Sequence, residues 1–517
     1  MLKKLLSYVG KYKKQAILSP VCILGEVAME VLIPYVMASI INDGIKKDDV
    51  GHVALMGLLM IGMALISLAF GAIAGRFSAV AAVGFAKNLR KALFEKVQSF
   101  SFSNVDKFST ASLTTRLTTD VTNVQMSFMM FIRTAVRAPM MLIFALIMAI
   151  TANARLSLVF LCAIPVLAIA IAMIMTKAHP RFKAMLTLYD NMNGRVQENL
   201  IGIRTVKAFV REDYEKKKFT ESTEAVRAAQ VNAEKLIIMT MPFMQLCMYT
   251  SIIAILYFGS NIIVGGDMLT GELTQFITYV TQILMSLMML SFLFMMFVIS
   301  RASIQRIYDV LTEEVDIVSP ENAVTEVASG SVRFKNVSFS YFKDMNNLAL
   351  EKVNIDIKSG ETIGIIGGTG SSKTTLVQLI PRLYDTTDGQ VLVGGRDVRE
   401  YDLEALRNQV AMVLQKNVLF SGTIKENLKW GNAEATDEEI IEACKQACAH
   451  DFITSFPDGY DQNLGQGGVN VSGGQKQRLC IARALLKKPK ILILDDSTSA
   501  VDTATDANIR KAFRENL

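Results

Sequence analysis

Two stretches of about twenty residues without a charged side chain constrain this chain more than any other feature. They are MGLLMIGMALISLAFGAIAG (56–75) and LSLVFLCAIPVLAIAIAMIM (156–175). An uncharged apolar run of ~20 residues has the length of a helix that spans a lipid bilayer. Predominantly apolar runs lie near residues 16–41, 53–76, 128–152, 156–177, 237–263 and 274–299. The sequence therefore predicts a multi-pass membrane protein with an all-α domain of six spanning helices.

The segments between these runs are alternately rich and poor in basic residues. The rich ones are 77–127 and 178–236, whereas the basic residues of 41–50, 151–155 and 264–272 are Lys46, Lys47 and Arg155. Segments rich in Lys and Arg stay in the cytoplasm when a chain inserts into a membrane. We therefore expect both termini on the inner side of a cytoplasmic membrane. The net charge of +6 then reflects topology, and we expect no nucleic-acid partner.

Changes in composition along the chain indicate a multidomain membrane protein. Residues 1–15 are basic and amphipathic, which predicts an elbow helix lying on the cytoplasmic surface of the membrane. The membrane domain follows over 16–304, with two long intracellular loops, and a polar stretch with Pro and Gly predicts a linker at 305–330. Over 331–517, β-type runs (VRFKNVSFSY, TIGIIG, QVAMVL and ILILD) alternate with helical stretches, which is typical of an α/β domain.

The run ETIGIIGGTGSSKTTLVQLI (361–380) has the order of a phosphate-binding P-loop: a β-rich segment, a glycine-rich turn, a lysine and a helix. Glycines let the backbone amides turn inward, Lys373 can reach the β and γ phosphates of a nucleotide, and Thr374 can bind Mg²⁺. The candidate nucleotide-binding residues are Gly367, Gly368, Thr369, Gly370, Ser371, Ser372, Lys373, Thr374 and Thr375. Ser372 stands where the motif has a glycine directly before the lysine.

Two further motifs follow the P-loop. ILILDD (491–496) is an apolar strand that ends in acids, and Asp495 is placed to hold the metal. Between the two motifs lies VSGGQKQRLCIARALL (471–486), and VSGGQ is nearly the LSGGQ signature of ATP-binding cassette (ABC) transporters. With six spans ahead of these motifs, the chain resembles an ABC exporter half-transporter over essentially its whole length. The resemblance implies an α/β P-loop ABC ATPase domain, with ATP and Mg²⁺ as cofactors and ATP hydrolysis coupled to export.

The resemblance also assigns roles to residues outside the P-loop. Tyr341 resembles the aromatic that stacks on adenine, with a core aromatic of a strand as the alternative. Gln415 resembles the glutamine that approaches the metal and the attacking water. The signature residues, which in the family cap the γ-phosphate held by the opposite subunit, are Ser472, Gly473, Gly474 and Gln475. The residues that match the family's D-loop, which crosses to the other subunit, are Ser499, Ala500, Val501 and Asp502.

The chain departs from the family at the position after Asp495. That residue is usually a glutamate, which orients or deprotonates the attacking water, and here it is Asp496. Losing one methylene withdraws the carboxylate, and such a misplacement can cost about 10²-fold in rate. Together with Ser372, this substitution predicts a degenerate ATP site on the chain's own P-loop, beside an intact signature.

This asymmetry resembles the degenerate half of bacterial heterodimeric multidrug exporters. We therefore expect a second half-transporter that carries the catalytic glutamate as the partner. A homodimer with two slow sites, exporting lipid or peptide, is the alternative. The resemblance also implies a switch histidine beyond the acidic strand. His52, His179 and His450 do not stand there, so we expect the final part of the ATPase domain to lie beyond Leu517.

Charges and methionines within the spans bear on the transported substrate. Glu26 and Glu30 are one helical turn apart, as are Arg133 and Arg137, so they could line an interior path, pair with one another or lie at the rim. The methionines of the last two spans suit a cavity for varied apolar molecules, and equally a lipid-facing surface. We expect a small amphipathic or hydrophobic substrate. A regulatory subunit that binds ATP without turnover and an ATP-gated conduction pathway are the other function classes that fit.

Overall fold

The computed structural model describes residues 1–342, 344–496 and 502–516, without the side chains of 295, 298, 299, 515 and 516. The chain forms two compact units. The first contains Met1–Lys96 and Ala111–Thr312, and the second contains Val97–Thr110 and Glu313–Leu517.

Helices joined by short connections form the first unit. In chain order, the helices up to residue 312 are α1 (Leu2–Ser7), α2 (Lys13–Ser39), α3 (Val50–Gln98), α4 (Phe102–Phe108), α5 (Thr110–Thr115), α6 (Val121–Ala152), α7 (Leu158–Ile201), α8 (Ile203–Ala208), α9 (Glu212–Ile238), α10 (Thr240–Val264) and α11 (Thr270–Thr312). Of these helices, α4 belongs to the second unit. The described part of the chain contains 6 helical stretches long and apolar enough to cross a membrane. These stretches are Gly10–Lys47, Val50–Gln98, Thr110–Ala152, Leu158–Ile201, Glu212–Val264 and Thr270–Phe294. The prediction of six spanning helices is confirmed.

Several of these helices are much longer than a bilayer is thick. Helix α3 has 49 residues and is about 70 Å long at ~1.5 Å per residue, against a hydrocarbon core of ~30 Å. Helix α7 has 44 residues. Both helices therefore extend well beyond any bilayer that they cross.

Helices α2, α6 and α11 pack closely around an apolar core. Ile23 and Val27 of α2 and Phe276 of α11 are fully buried in this core. A Cβ at Gly271 would lie 2.3 Å from the carbonyl oxygen of Ala38, so only glycine allows α11 to approach α2 this closely. Close approach through small residues is a common way for helices to associate in a membrane.

The second unit combines a sheet with short helices. Its strands are β1 (Val332–Phe339), β2 (Leu350–Ile357), β3 (Asp388–Val393), β4 (Arg396–Asp397), β5 (Val410–Val413), β6 (Gly422–Thr423), β7 (Asn463–Leu464) and β8 (Ile491–Leu494). Its helices after α4 are α12 (Lys373–Gln378), α13 (Leu403–Gln409), α14 (Ile424–Leu428), α15 (Asp437–Gln446), α16 (His450–Thr454), α17 (Gly473–Leu486) and α18 (Thr503–Asn516). The order β2-β1-β3-β4 forms an antiparallel sheet, with Val332 opposite Ile357 on one side and Val393 on the other. Strands β5 and β8 are parallel, and β6 pairs with β7.

One predicted strand is wrong. The β-type runs VRFKNVSFSY, QVAMVL and ILILD contain β1, β5 and β8, but TIGIIG (362–367) forms no regular element. The side chains of Ile363, Ile365 and Ile366 are exposed. β-branched residues favour a strand where a neighbouring strand offers backbone partners and a surface to pack against. The Val410–Ile491 register joins β5 directly to β8, and TIGIIG has neither kind of support in the described structure.

Helix α4 belongs to the second unit although it lies between spanning helices in the sequence. Tyr384 Oη donates to Asp106 Oδ2 at 2.6 Å, and Asn104 Nδ2 donates to the Glu314 carbonyl oxygen at 2.9 Å. The ring of Phe102 meets Tyr384 edge-on, at 5.9 Å between centroids. Burial of Tyr384 and its hydrogen bond to Asp106 raise the pKa of the phenol well above its usual range. Tyr384 therefore stays a neutral donor that holds α4 against this unit.

Candidate nucleotide site

The P-loop lysine lies folded over its own loop. Lys373 begins α12, and its Nζ donates to the carbonyl oxygens of Gly367 and Gly368 at 2.8 Å each. Ser371 Oγ donates to Gly368 O at 2.9 Å, which closes the turn. The ammonium group is thus held at the centre of the loop, where a phosphate could replace the carbonyl oxygens as its partner.

Ser372 occupies a backbone conformation that favours glycine. Its φ of 60° and ψ of 26° lie in the left-handed region, and Gly370 has a φ of 84°. A Cβ in that region costs about 1–2 kcal/mol. The glycine expected before the lysine is therefore a conformational requirement of the loop, and Ser372 meets that requirement at a cost in strain.

The start of α12 meets the end of β8. Thr374 Oγ1 donates to Asp495 Oδ1 at 3.1 Å. The amide of Asp495 donates to the Val413 carbonyl oxygen at 3.0 Å, which extends the β5–β8 pairing by one residue. A hydroxyl and a carboxylate oxygen are the hard donors that Mg²⁺ prefers. The two residues predicted from separate motifs to hold a metal are in contact, and their chemistry fits this ion.

Gln415 and Asp496 also come together at this edge. Each lies two residues beyond the end of its strand, β5 or β8, and the carboxyl ends of parallel strands meet at one edge of a sheet. Gln415 Nε2 donates to Asp496 Oδ2 at 3.3 Å. Asp496 has a φ of 51°, a conformation that aspartate tolerates better than most residues. The two residues predicted for catalysis are thus neighbours, joined through their side chains.

Tyr341 lies beside the start of α12. Its hydroxyl is 2.8 Å from Thr375 Oγ1, and its ring meets those of Phe339 and Tyr384 edge-on, at 4.9 Å and 5.3 Å between centroids. The ring is braced from its edges, yet Tyr341 is 45% exposed while Phe339 is 3% exposed. The exposure argues against the alternative that Tyr341 is a core aromatic, and it leaves ring surface accessible near the P-loop.

The signature residues form the capped start of α17. Ser472 Oγ accepts from the Gln475 amide at 3.3 Å, and Gln475 Oε1 accepts from the Ser472 amide at 2.8 Å. This reciprocal pair is a capping box at the positive end of a 14-residue helix. Ser472 and Gly473 are exposed, so this helix end is open to a ligand. Deeper in α17, Arg478 anchors the helix by donating to the Cys448 carbonyl oxygen at 2.7 Å.

The predicted D-loop falls partly outside the described residues, which omit Ser499, Ala500 and Val501. Asp502 is described, and its Oδ1 accepts from the Thr505 amide at 2.9 Å, at the start of α18. That backbone hydrogen bond lowers the pKa of Asp502.

Sequence reasoning missed Tyr384, which contacts both Tyr341 and α4. Tyr384 lies in no nucleotide motif, and Asp106 is 278 residues away in the chain, so no local pattern could have revealed these contacts.

Comparison with protein families identifies both parts of the chain. The model of the ABC transporter transmembrane region matches residues 16–303, and the model described as ABC transporter matches residues 350–499. The chain is 41% identical over 512 residues to the uncharacterized ABC transporter ATP-binding protein YfiB of Bacillus subtilis, covering 99% of this chain and 89% of that protein.

Two relatives have more specific names. The putative multidrug export ATP-binding/permease protein YgaD of Bacillus subtilis is 31% identical, over 99% of this chain and 90% of its own length. The ATP-dependent lipid A-core flippase of Syntrophus aciditrophicus is 31% identical, over 82% of this chain and 70% of its own length.

The solved structure of a bacterial Atm1-family ABC exporter with ATP bound matches with a TM-score of 0.82 and 23% identity, over 98% of this chain and 89% of that one. At this identity the match shows the shared fold. The family models and the relatives show more: the chain belongs to the ABC transporter family, whose ATP-hydrolysing domain it carries fused to a six-helix membrane region.

Proposed function

We propose that this chain is one half of a dimeric exporter that moves small amphipathic or hydrophobic molecules out across the cytoplasmic membrane. Relatives named for multidrug export and for flipping the lipid A-core support a substrate of this kind. The distribution of Lys and Arg supports a topology with both termini in the cytoplasm. The finer proposal concerns the ATP site on the chain's own P-loop, which we infer to be degenerate.

The residues around the P-loop have the chemistry to hold Mg-ATP. Lys373 would exchange its carbonyl partners for phosphate oxygens, and the exposed ring of Tyr341 would stack on the adenine. Thr374 and Asp495 would bind Mg²⁺, which offsets the charge of the phosphates when bound. Each of these residues is positioned by contacts of its own, and binding would replace the two contacts that Lys373 makes with its loop.

The observation that carries the inferred degeneracy is the contact between Gln415 and Asp496. An aspartate side chain ends about 1.5 Å short of a glutamate side chain, since it lacks one carbon–carbon bond. Its Oδ2 accepts from the Gln415 amide at 3.3 Å, at the edge of the sheet. We infer that this short carboxylate is held beside Gln415 and does not reach the position from which a glutamate would activate water. The strained Ser372 adds a second handicap to the same site.

The signature, in contrast, is well formed. The Ser472 hydroxyl and the amides of Gly473 and Gly474 lie at the exposed positive end of α17, where they can stabilise a phosphate. In the family this end faces the nucleotide on the partner's P-loop. We therefore infer a division of labour: this chain supplies a competent signature to the partner's ATP, and most turnover occurs there.

The test is a pair of substitutions in the co-purified dimer. Asp496→Asn should leave most of the ATPase activity, because the partner's site carries the turnover. The equivalent Glu→Gln change in the partner should abolish most of it. The reverse result would refute the asymmetric assignment. If this chain purifies as an active dimer by itself and Asp496→Asn abolishes its activity, the homodimer with two slow sites is correct.

A further inference from the structure

Three charged residues of the spanning helices form a cluster in the first unit. Arg137 of α6 donates from Nη1 to Glu26 Oε1 on α2, and from Nη2 to both carboxylate oxygens of Glu30 at 2.9 Å. Arg133, one turn earlier on α6, is exposed. The cluster thus sets two carboxylates against one guanidinium, and we call these three residues the Glu–Arg–Glu cluster.

The cluster has unused hydrogen-bond acceptors. Glu26 is 6% exposed, and its Oε2 is shielded from solvent without a donor among the described residues. The same holds for Oε1 of Gln282 on α11, whose Nε2 donates to the Glu30 carbonyl oxygen at 3.3 Å. Buried acceptors are normally paired, because losing water without a replacement partner is costly. Two carboxylates against one guanidinium, with one carboxylate oxygen unused, have the chemistry to bind a cation that carries N–H donors.

The cluster is closed at Glu26 and partly open at Glu30 and Arg137. Gly71 of α3 faces the Glu26 carboxylate, and a Cβ there would already lie 3.2 Å from its carboxyl carbon. The side chains of Arg137 and Glu30 are 24% and 27% exposed, so an approaching group meets these two residues first, and Glu26 Oε2 becomes available to it when their side chains shift. A charge inside a spanning segment is expensive and commonly marks a functional pathway.

We propose that the Glu–Arg–Glu cluster binds the ammonium group of the transported molecule, and that this chain therefore prefers amphipathic amines to neutral amphipaths. The inference rests on the proposed export function and names its substrate class. A primary or secondary ammonium offers both a positive charge and an N–H donor for the unused Glu26 Oε2. A quaternary ammonium offers the charge without the N–H donors, so it binds less well.

The experiment measures equilibrium binding without ATP, using the full chain co-purified with its partner in lipid nanodiscs. The probes are dansylcadaverine, a fluorescent primary amine, its neutral N-acetyl derivative and its trimethylammonium derivative. We expect the wild-type protein to bind the primary amine most tightly. Glu30→Gln and Glu26→Gln should each weaken binding of that amine about tenfold, as for the loss of one charge-assisted contact, and should change binding of the neutral derivative less than about twofold.

Arg133→Gln is the matched control and should leave binding of all three probes unchanged. Glu30→Gln is the milder test of folding, because Arg137 keeps Glu26 as its partner. Equal losses for the amine and the neutral derivative would show a structural ion pair and overturn the proposal. A wild-type protein that does not prefer the amine would overturn it independently of any variant. Failure of the export function would appear separately, as vesicles that bind the amine but accumulate no probe with ATP.

Discussion

Restoring the missing methylene at Asp496 tests the inferred degeneracy most directly. Asp496→Glu extends the carboxylate by about 1.5 Å, which moves its oxygens beyond the present position of Oδ2, 3.3 Å from the Gln415 amide nitrogen. Since a misplacement of ~1 Å can cost about 10²-fold in rate, the longer side chain should recover up to about 10²-fold at this site. The corresponding change in activation free energy is about 2.7 kcal/mol. Because Ser372 is unchanged, we expect a gain between about 10-fold and 10²-fold.

The assay requires that only this site contribute. In the proposed heterodimer, a Glu→Gln change at the partner's catalytic position removes turnover at the other P-loop. The steady-state ATPase rate of that dimer then reports the site built on Lys373 and Asp495. Asp496→Glu is compared with the parent, which keeps Asp496. It is also compared with Asp458→Glu, which lengthens an exposed carboxylate elsewhere in the same unit.

A rate for Asp496→Glu within about twofold of the parent would refute the argument from reach. So would a parent that already turns over as fast as the intact partner site. Adding Ser372→Gly to Asp496→Glu separates the two handicaps. The strain at φ 60° affects the shape of the phosphate-binding loop, so we expect Ser372→Gly to improve ATP affinity. The short carboxylate affects activation of water, so we expect Asp496→Glu to improve turnover.

Single contacts of Tyr341, Ser472 and Tyr384 can each be removed by one substitution. Tyr341→Ala should weaken ATP binding about tenfold by removing a stacking surface, while Tyr341→Phe retains it, as measured with a fluorescent ATP analogue. Ser472→Ala removes the cap of α17 and should destabilise the unit by about 1 kcal/mol in thermal unfolding. It should also lower turnover at the partner's site. Tyr384→Phe deletes the hydrogen bond to Asp106 and should lower the local stability of α4 by about 1 kcal/mol, measured as faster amide hydrogen exchange in this helix. Tyr460→Phe is the control and should leave that exchange unchanged.

Some residues that separate motifs assigned to the candidate nucleotide site are in contact in the structure. Thr374 and Asp495 come from separate motifs, and the structure joins them at 3.1 Å. The capping box of Ser472 and Gln475 forms as the local sequence allows. These results were predictable because a turn, a cap or a strand end depends on a few neighbouring residues. The error at TIGIIG has the opposite cause, since a strand exists only where other strands pair with it, and composition does not supply those partners.

The charged residues of the spanning helices also show what the sequence could and could not predict. The sequence showed two acids on one span and two bases on another, each pair one turn apart, but it could not show which base meets the acids. The structure selects Arg137, which pairs with Glu26 and Glu30, and leaves Arg133 exposed. Which arginine meets the glutamates depends on how α6 is rotated about its axis relative to α2. The period of ~3.6 residues shows which residues share a face of one helix, but not which neighbouring helix that face contacts.

The sequence by itself determined that this chain spans a membrane six times and carries an ABC ATPase domain. The length of an apolar run and the order of motifs can both be seen in the sequence without knowing which residues are in contact. Only the tertiary structure decided that α4 belongs with the second unit, that Asp496 is held by Gln415, and that two glutamates share one arginine. Each of these depends on the relative placement of elements far apart in the chain. That placement results from the packing of whole surfaces and is encoded in no single segment.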